Sequence, residues 1–218
     1  MNAVMDAKPW SRDAMAARLA RDVPEGWYVN LGIGIPTMVA DHVPVEREVI
    51  FHSENGVLGM GPAPAPGEVD PWLINAGKKH VTLRTGGSYC HHADSFAMIR
   101  GGHLDLCVLG AFEVAANGDI ANWATSENDT APAVGGAMDL AAGAKRLWVI
   151  MEHTTKDGRP KLVERCGYPL TALAVVTRVY TNYAVLDVTE RGFVVVDVVP
   201  GLSHDALQAR TEARLHFA

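Results

Sequence analysis

Apolar positions along this chain follow two spacings, and the change from one to the other predicts its elements. Met15, Leu19 and the Asp22-Val23 end mark one face at helical spacing, so a helix is predicted over Arg12–Asp22 with Ser11 as its N-cap. Strand-length apolar runs recur at Trp27–Leu31, Val49–Phe51, Val81–Leu83, Asp105–Leu109, Phe112–Val114, Leu147–Met151, Leu173–Val179, Ala184–Val188 and Phe193–Val199. Leu147–Met151 is apolar without interruption, which is the mark of a strand buried on both faces. Helical patches fit between the strands: Pro36 in the first turn of a helix through about His42, then Ser95–Arg100, Ala137–Ala144, and His204–Thr211 after a Ser203 cap. Asn117-Gly118-Asp119 and Glu190-Arg191-Gly192 read as hairpin turns, and Gly59–Pro71 as irregular loop. Strands interleaved with helices give the α/β class: a single domain over residues 1–218, its mixed, mostly parallel sheet flanked by helices and its last strand pair forming an antiparallel edge.

Within that pattern, Val49–Gly61 stands apart. An apolar strand run stops at polar residues, and one carboxylate, Glu54, sits against Asn55-Gly56, a dipeptide that favours a tight turn because both residues tolerate positive φ. A strand, an acid, a sharp turn and glycines can push one side chain into a cleft. The same residues also suit an acidic surface turn.

Composition narrows the function classes. The 218 residues are 48% hydrophobic and 20% charged, an ordinary globular balance, and the formal charge of −6 leaves no basic surplus to neutralise nucleic-acid phosphates. Met1–Trp10 lacks the apolar core of a secretory signal, and no run approaches the ~18 apolar residues of a membrane span. Cys90, Cys107 and Cys166 are odd in number, far apart and without CxxC spacing, which suits reduced thiols. The expectation is a cytoplasmic protein that binds neither nucleic acid nor membrane.

Several constellations could carry chemistry. Gly32-x-Gly34 lies between strand and helix with Glu54 about twenty residues on, close to a dinucleotide fingerprint whose acid binds ribose hydroxyls. Its third glycine is missing, and a glycine-assisted turn into a helix N-terminus accounts for the same residues. His91-His92-Ala-Asp94 and His103-Leu-Asp105 lack structural-zinc spacing, so no metal is expected. No G-x-S-x-G elbow occurs. Gly135-Gly136 before the Ala137 helix either cradles an anion or lets the helix start close to a strand.

Together these residues resemble a known family. Tyr28-Val-Asn30-Leu-Gly-Ile-Gly34-Ile-Pro36-Thr37, Ser53-Glu54-Asn55-Gly56-Val-Leu-Gly59-Met-Gly61-Pro62, Leu73-Ile-Asn75-Ala-Gly77-Lys78, Arg100-Gly-Gly-His103-Leu-Asp105, Val134-Gly135-Gly136-Ala-Met-Asp139 and Met151-Glu152-His153 are similar to blocks of the B (β) subunit of 3-oxoacid CoA-transferases. The likeness runs from about Ser11 to Thr211. Gly87-Ser-Tyr-Cys-His91-His92-Ala-Asp94-Ser-Phe and Asn122-Trp123 followed by Pro132-Ala-Val-Gly135 resemble the 3-oxoadipate branch.

The resemblance implies a family I CoA-transferase fold of NagB/RpiA type, with coenzyme A esters as substrates and no bound cofactor. It makes Glu54 the nucleophile of a covalent exchange from succinyl-CoA to a 3-oxo acid. It makes the Asn30 amide and the Gly135 backbone N–H the oxyanion donors, and puts Gly32, Gly34, Asn55, Gly56 and Gly136 around the substrate. His91 and His92 are candidates for a distal carboxylate. It further implies an A subunit that completes the site in a heterodimer or heterotetramer. An acetoacetate-type transferase subunit, a nicotinamide-dependent oxidoreductase and a non-catalytic acyl-CoA-binding partner are the alternatives.

Overall fold

The structure is a computed structural model that describes residues 7–126 and 134–217. The chain forms two compact units, one made of Ala16–Gly110 with Gly136–Leu147, the other of the described parts of Met1–Met15, Ala111–Gly135 and Trp148–Ala218.

The first unit is built on a mixed sheet of strands β1 (Tyr28–Leu31), β2 (Ile50–Ser53), β3 (Val57–Met60), β4 (Leu83–Tyr89) and β5 (Leu106–Leu109), in the order β5-β1-β2-β3-β4. Its centre is parallel. Strand β1 runs beside β2 and β5 in a register that opposes Asn30 to His52 on one side and to Cys107 on the other. The other pairings, β2 with β3 and β3 with β4, are antiparallel. Val29, Phe51, Leu106 and Val108 are buried, as apolar strands covered on both faces must be.

Helix α1 (Arg12–Asp22) forms where expected, and the Ser11 hydroxyl accepts from the Ala14 N–H at 3.1 Å. Residues Ala16, Leu19, Ala20 and Val23 are buried. Arg47 donates to the Ala20 and Val23 carbonyls, satisfying groups that a helix end leaves without partners. Helices α2 (His92–Arg100) and α3 (Ala137–Gly143) are joined by Arg100, which holds Asp139 through Nε at 2.7 Å and through a terminal nitrogen at 3.1 Å.

Two expectations shift here. The segment Ile35–His42 after Pro36 winds as a 3-10 helix. The glycine-rich stretches also hide strands: β3 takes in Gly59, which the Gly/Pro pattern assigns to loop, and β4 runs through Gly86-Gly87 to Tyr89, well past Leu83. The glycines explain both. A Cβ on Gly59 would fall 2.8 Å from the Gly87 Cα, so the strands meet where neither has a side chain, and their register shifts between Leu58 and Met60.

The second unit carries β6 (Glu113–Ala115), β7 (Ile120–Ala121) and β9 (Leu162–Val163) as a small sheet, and β8 (Leu147–Met151, within the unit from Trp148), β10 (Val176–Thr181), β11 (Ala184–Thr189), β12 (Gly192–Val198) and β13 (Leu215–Phe217) in the order β13-β12-β11-β10-β8. Both expected hairpins form, β6–β7 around Asn117-Gly118 and β11–β12 at Glu190-Arg191. The expected strand at Leu173 starts only at Val176, because Ala172 instead bridges Ile120 and Ala174 turns at φ +51. Helix α4 (His204–Gln208) stops short of Thr211, whose hydroxyl donates back to the Leu207 carbonyl. His153 is fully buried between the Thr181 and Thr211 hydroxyls, each at 2.9 Å.

Candidate active site

The turn between β2 and β3 holds Glu54. Ser53 closes it by accepting the Gly56 N–H at its carbonyl, 2.9 Å, and Gly56 supplies φ +109, which a side chain resists. A Cβ on Gly56 would also run into the Cys90 carbonyl, so β4 lies directly against the turn; the Cys90 N–H donates to the Gly56 carbonyl at 2.9 Å. From the outside, the Leu73–Lys78 segment holds both neighbours of Glu54. The Ala76 N–H donates to Ser53 Oγ at 2.9 Å and Asn55 Nδ2 donates to the Ile74 carbonyl at 2.7 Å. Residues on each side of the carboxylate are thus fixed while Glu54 itself stays partly exposed.

Asn30, fully buried at the centre of the sheet, donates from Nδ2 to Glu54 Oε2 at 3.0 Å and to the His52 carbonyl at 3.2 Å; the same nitrogen lies 3.1 Å from His52 Nδ1. A carboxylate and a peptide carbonyl only accept, so the amide is oriented with NH₂ toward Glu54 and Oδ1 away from it. There Oδ1 accepts a hydrogen bond from the Cys107 thiol, whose Sγ lies 3.9 Å away. Burial, with the Glu54 charge added to it, pushes the Cys107 thiol well up, which keeps that proton in place. Burial lowers the His52 pKa to about 4, so its ring is neutral at pH 7. Facing an NH₂ group, Nδ1 must accept, so the proton sits on Nε2 and is donated to the buried Ser95 Oγ, 2.8 Å away on α2.

The other expected site residues sit at strand ends and helix starts. Gly32 follows β1 so closely packed that a Cβ would meet the Leu109 side chain at 2.9 Å. Gly34 has φ +96 and opens the 3-10 helix, where a dinucleotide fold would have a long α-helix. His91 follows Cys90 and caps α2, its Nδ1 accepting from the Ala93 N–H at 3.2 Å. The His92 ring lies 4.8 Å from that of Phe96, and the Phe96 ring also covers Gly136, where a Cβ would meet Cζ at 2.9 Å. Gly136 caps α3; Gly135, in the second unit, has φ +50. Among the described residues no group of three His, Cys, Asp or Glu side chains could hold a metal ion, and no helix is long and apolar enough to cross a membrane.

Sequence reasoning missed His52, Ser95 and Cys107. His52 and Cys107 are ordinary strand residues until parallel pairing sets both beside Asn30. The one trace in the sequence was His52, a polar residue directly after the apolar run Val49–Phe51.

A carboxylate set on a tight turn at the end of a parallel strand of an α/β sheet, with a buried amide directed at one of its oxygens, is an arrangement that can carry covalent carboxylate chemistry. The profile of the family described as coenzyme A transferase matches residues 12–210. The chain is 59% identical over 201 residues to the B subunit of 3-oxoadipate CoA-transferase from Pseudomonas putida, covering 92% of this chain and 94% of that protein. It is 56% identical to the Acinetobacter baylyi protein of the same name, over 94% of each chain. It is 47% identical to the B subunit of succinyl-CoA:3-ketoacid coenzyme A transferase from Helicobacter pylori, over 93% of this chain and 97% of that one.

The fold is shared with an acyl-CoA transferase apoenzyme of Escherichia coli O157:H7, at TM-score 0.74 and 18% identity; the alignment covers 96% of this chain and 42% of that longer one. Glutaconate coenzyme A-transferase of Acidaminococcus fermentans superposes at TM-score 0.70 and 16% identity, over 97% and 88% of the two chains. This chain belongs to the coenzyme A transferase family, and CoA transfer is its class of reaction.

Proposed function

We propose that the chain is the B subunit of a CoA-transferase that moves CoA from succinyl-CoA to 3-oxoadipate through a glutamyl-CoA thioester at Glu54. One observation carries the mechanism: the Asn30 amide reaches Glu54 Oε2 at 3.0 Å. With Oε2 so held, Oε1 is the attacking oxygen. It bonds to the thioester carbonyl carbon, the C–S bond breaks, and CoA thiolate leaves behind a succinyl–glutamyl anhydride. The thiolate then adds to the glutamyl carbon and succinate departs, leaving CoA on Glu54. The acceptor acid reverses both steps and regenerates the carboxylate. In each addition to the glutamyl carbon the negative charge develops on Oε2, where Asn30 already donates, so the donor acts without reorganisation.

By resemblance the Gly135 N–H is the second donor, and Gly32, Gly34, Asn55, Gly56 and Gly136 border the substrate. His91 has Nδ1 engaged as a cap, which leaves Nε2 as the donor for the distal carboxylate of a dicarboxylic acid, with His92 beside it. The relatives are each named as the B subunit of their enzyme, which supports an A subunit as partner; the proposed assembly is a heterodimer or heterotetramer, and its proposed location the cytoplasm.

To test this, the chain is combined with the A subunit of the Pseudomonas putida relative, exposed to succinyl-CoA and digested. The peptide containing Glu54 is expected to gain the mass of CoA less water, and hydroxylamine to convert it to a hydroxamate. Turnover without that adduct would falsify the mechanism. A kcat/KM that favours acetoacetate over 3-oxoadipate would move the acceptor to the other branch.

A further inference from the structure

We infer that His52 is a positioning residue whose imidazole, anchored by Ser95, fixes the Asn30 amide in the orientation that serves Glu54. The inference rests on the proposed role of Glu54 and adds a residue to it. Three acceptors surround Asn30 Nδ2, namely Glu54 Oε2, the His52 carbonyl and His52 Nδ1, yet the nitrogen has two hydrogens. One goes to the carboxylate and the other is shared between the two His52 acceptors. An amide with its nitrogen in that position is distinguishable from its flipped form only by its neighbours, and here both sides choose. Flipping would turn Oδ1 toward the carboxylate, the His52 carbonyl and Nδ1, all acceptors, and turn NH₂ toward the Cys107 thiol, which donates to Oδ1 as the structure stands.

The choice made by His52 depends on its tautomer: Ser95 Oγ, 2.8 Å from Nε2, can accept or donate and so anchors the ring, while the Asn30 NH₂ group facing Nδ1 leaves the proton on Nε2. Ser95 is fully buried on α2, and His52 and Asn30 are opposed in the β1–β2 register. Both ends of the ring are therefore anchored in the scaffold. Burial keeps the ring neutral, so one of its nitrogens stays bare and able to accept. His52 is buried and reaches Glu54 by way of the Asn30 amide, so its effect passes through Asn30 and Oε2.

Two substitutions separate the ends of the ring. In His52→Asn the side-chain oxygen can occupy the place of Nδ1 and accept from Asn30. In His52→Gln the longer amide keeps the bond to Ser95 and loses the acceptor beside Asn30. Each variant is assembled with the A subunit, checked for an unchanged thermal midpoint, and assayed for kcat and KM. His52→Gln should lose about 10- to 100-fold in kcat, the scale set by misplacing a reacting group, with KM within a factor of about two. His52→Asn should recover most of the loss. On an Asn30→Ala background His52→Gln should have no further effect, because the amide it positions is gone. Equal losses in both variants, or a His52→Gln loss that persists on Asn30→Ala, would overturn the inference.

The imidazole ¹⁵N shifts of wild-type protein give a reading independent of turnover: a protonated Nε2 with bare Nδ1 is expected, and the opposite tautomer refutes the role. If no CoA adduct forms on wild-type Glu54, the proposed mechanism fails, and the tautomer still decides the positioning claim.

Discussion

Replacing Gly56 by alanine should damage stability and catalysis together, and the structure sets the size of both effects. The residue sits at φ +109, where a side chain is strained by about 1–3 kcal/mol. The new methyl would lie against the Cys90 carbonyl, closer than real Cβ contacts come, so β4 must withdraw from the turn. Withdrawal breaks the 2.9 Å bond from the Cys90 N–H to the Gly56 carbonyl, costing about 1 kcal/mol more. The sum, about 2–4 kcal/mol, corresponds to a fall in Tm of roughly 4–16 °C for a chain of this length. Glu54 stands two residues before the displaced backbone, and a shift of about 1 Å there is worth ~10²-fold in kcat.

Differential scanning calorimetry and steady-state kinetics of the assembled enzyme read the two effects. Gly67→Ala is the control. That glycine also has positive φ, but its Cβ position is open, so about 1 kcal/mol of strain should appear with kcat unchanged. A Gly56→Ala protein with Tm within about 1 °C of wild type and kcat within about twofold would refute the account of the turn.

Asn30→Ala should lower kcat by ~10²–10³ with the Glu54–CoA adduct still detectable at long times, as expected for loss of one oxyanion donor; a loss confined to KM in stopped-flow and steady-state assays would contradict it. Glu54→Gln should abolish the adduct and turnover while the Tm stays within a few degrees, measured by mass spectrometry and calorimetry. Stability should also depend on pH through two buried histidines. His52 and His153 are each lowered to about 4 by burial, with Arg210 adding to the effect at His153. The unfolded chain therefore binds protons near pH 6.5 that the native state refuses until about 4, so stability is full above 6.5 and declines as pH falls through that window. The loss is about 3 kcal/mol per group at most; urea midpoints that stay level from about pH 7 to about 4.5 would disprove it. Gly136→Ala should cost about 1 kcal/mol by crowding the Phe96 ring, and Phe96→Leu should relieve part of it in a double-mutant cycle of thermal midpoints.

The elements that follow from local chemistry were legible in the chain. Ser11 and Ser203 cap helices as their side chains allow, and the Asn55-Gly56 turn forms with Gly56 alone of the pair at positive φ. Leu147–Met151 is buried along its whole length, as an uninterrupted apolar run requires. Glu54, Asn30 and the glycines were legible too, as residues of a specific motif. Strands β3 and β4 were less so, because glycines read as breakers become assets where two backbones approach closely. Single-chain periodicity carries no information about what stands on the facing strand.

What the sequence alone determined, then, is an α/β chain with a carboxylate on a sharp glycine turn and a set of motifs that assign the family. Tertiary structure decided what that carboxylate faces. Parallel pairing of β1 with β2 and β5 sets Asn30 between His52 and Cys107, residues 22 and 77 positions away along the chain. Burial then makes the thiol a donor and the imidazole an acceptor toward the same amide. Register and desolvation are properties of the assembled sheet, and together they direct the Asn30 amide toward Glu54.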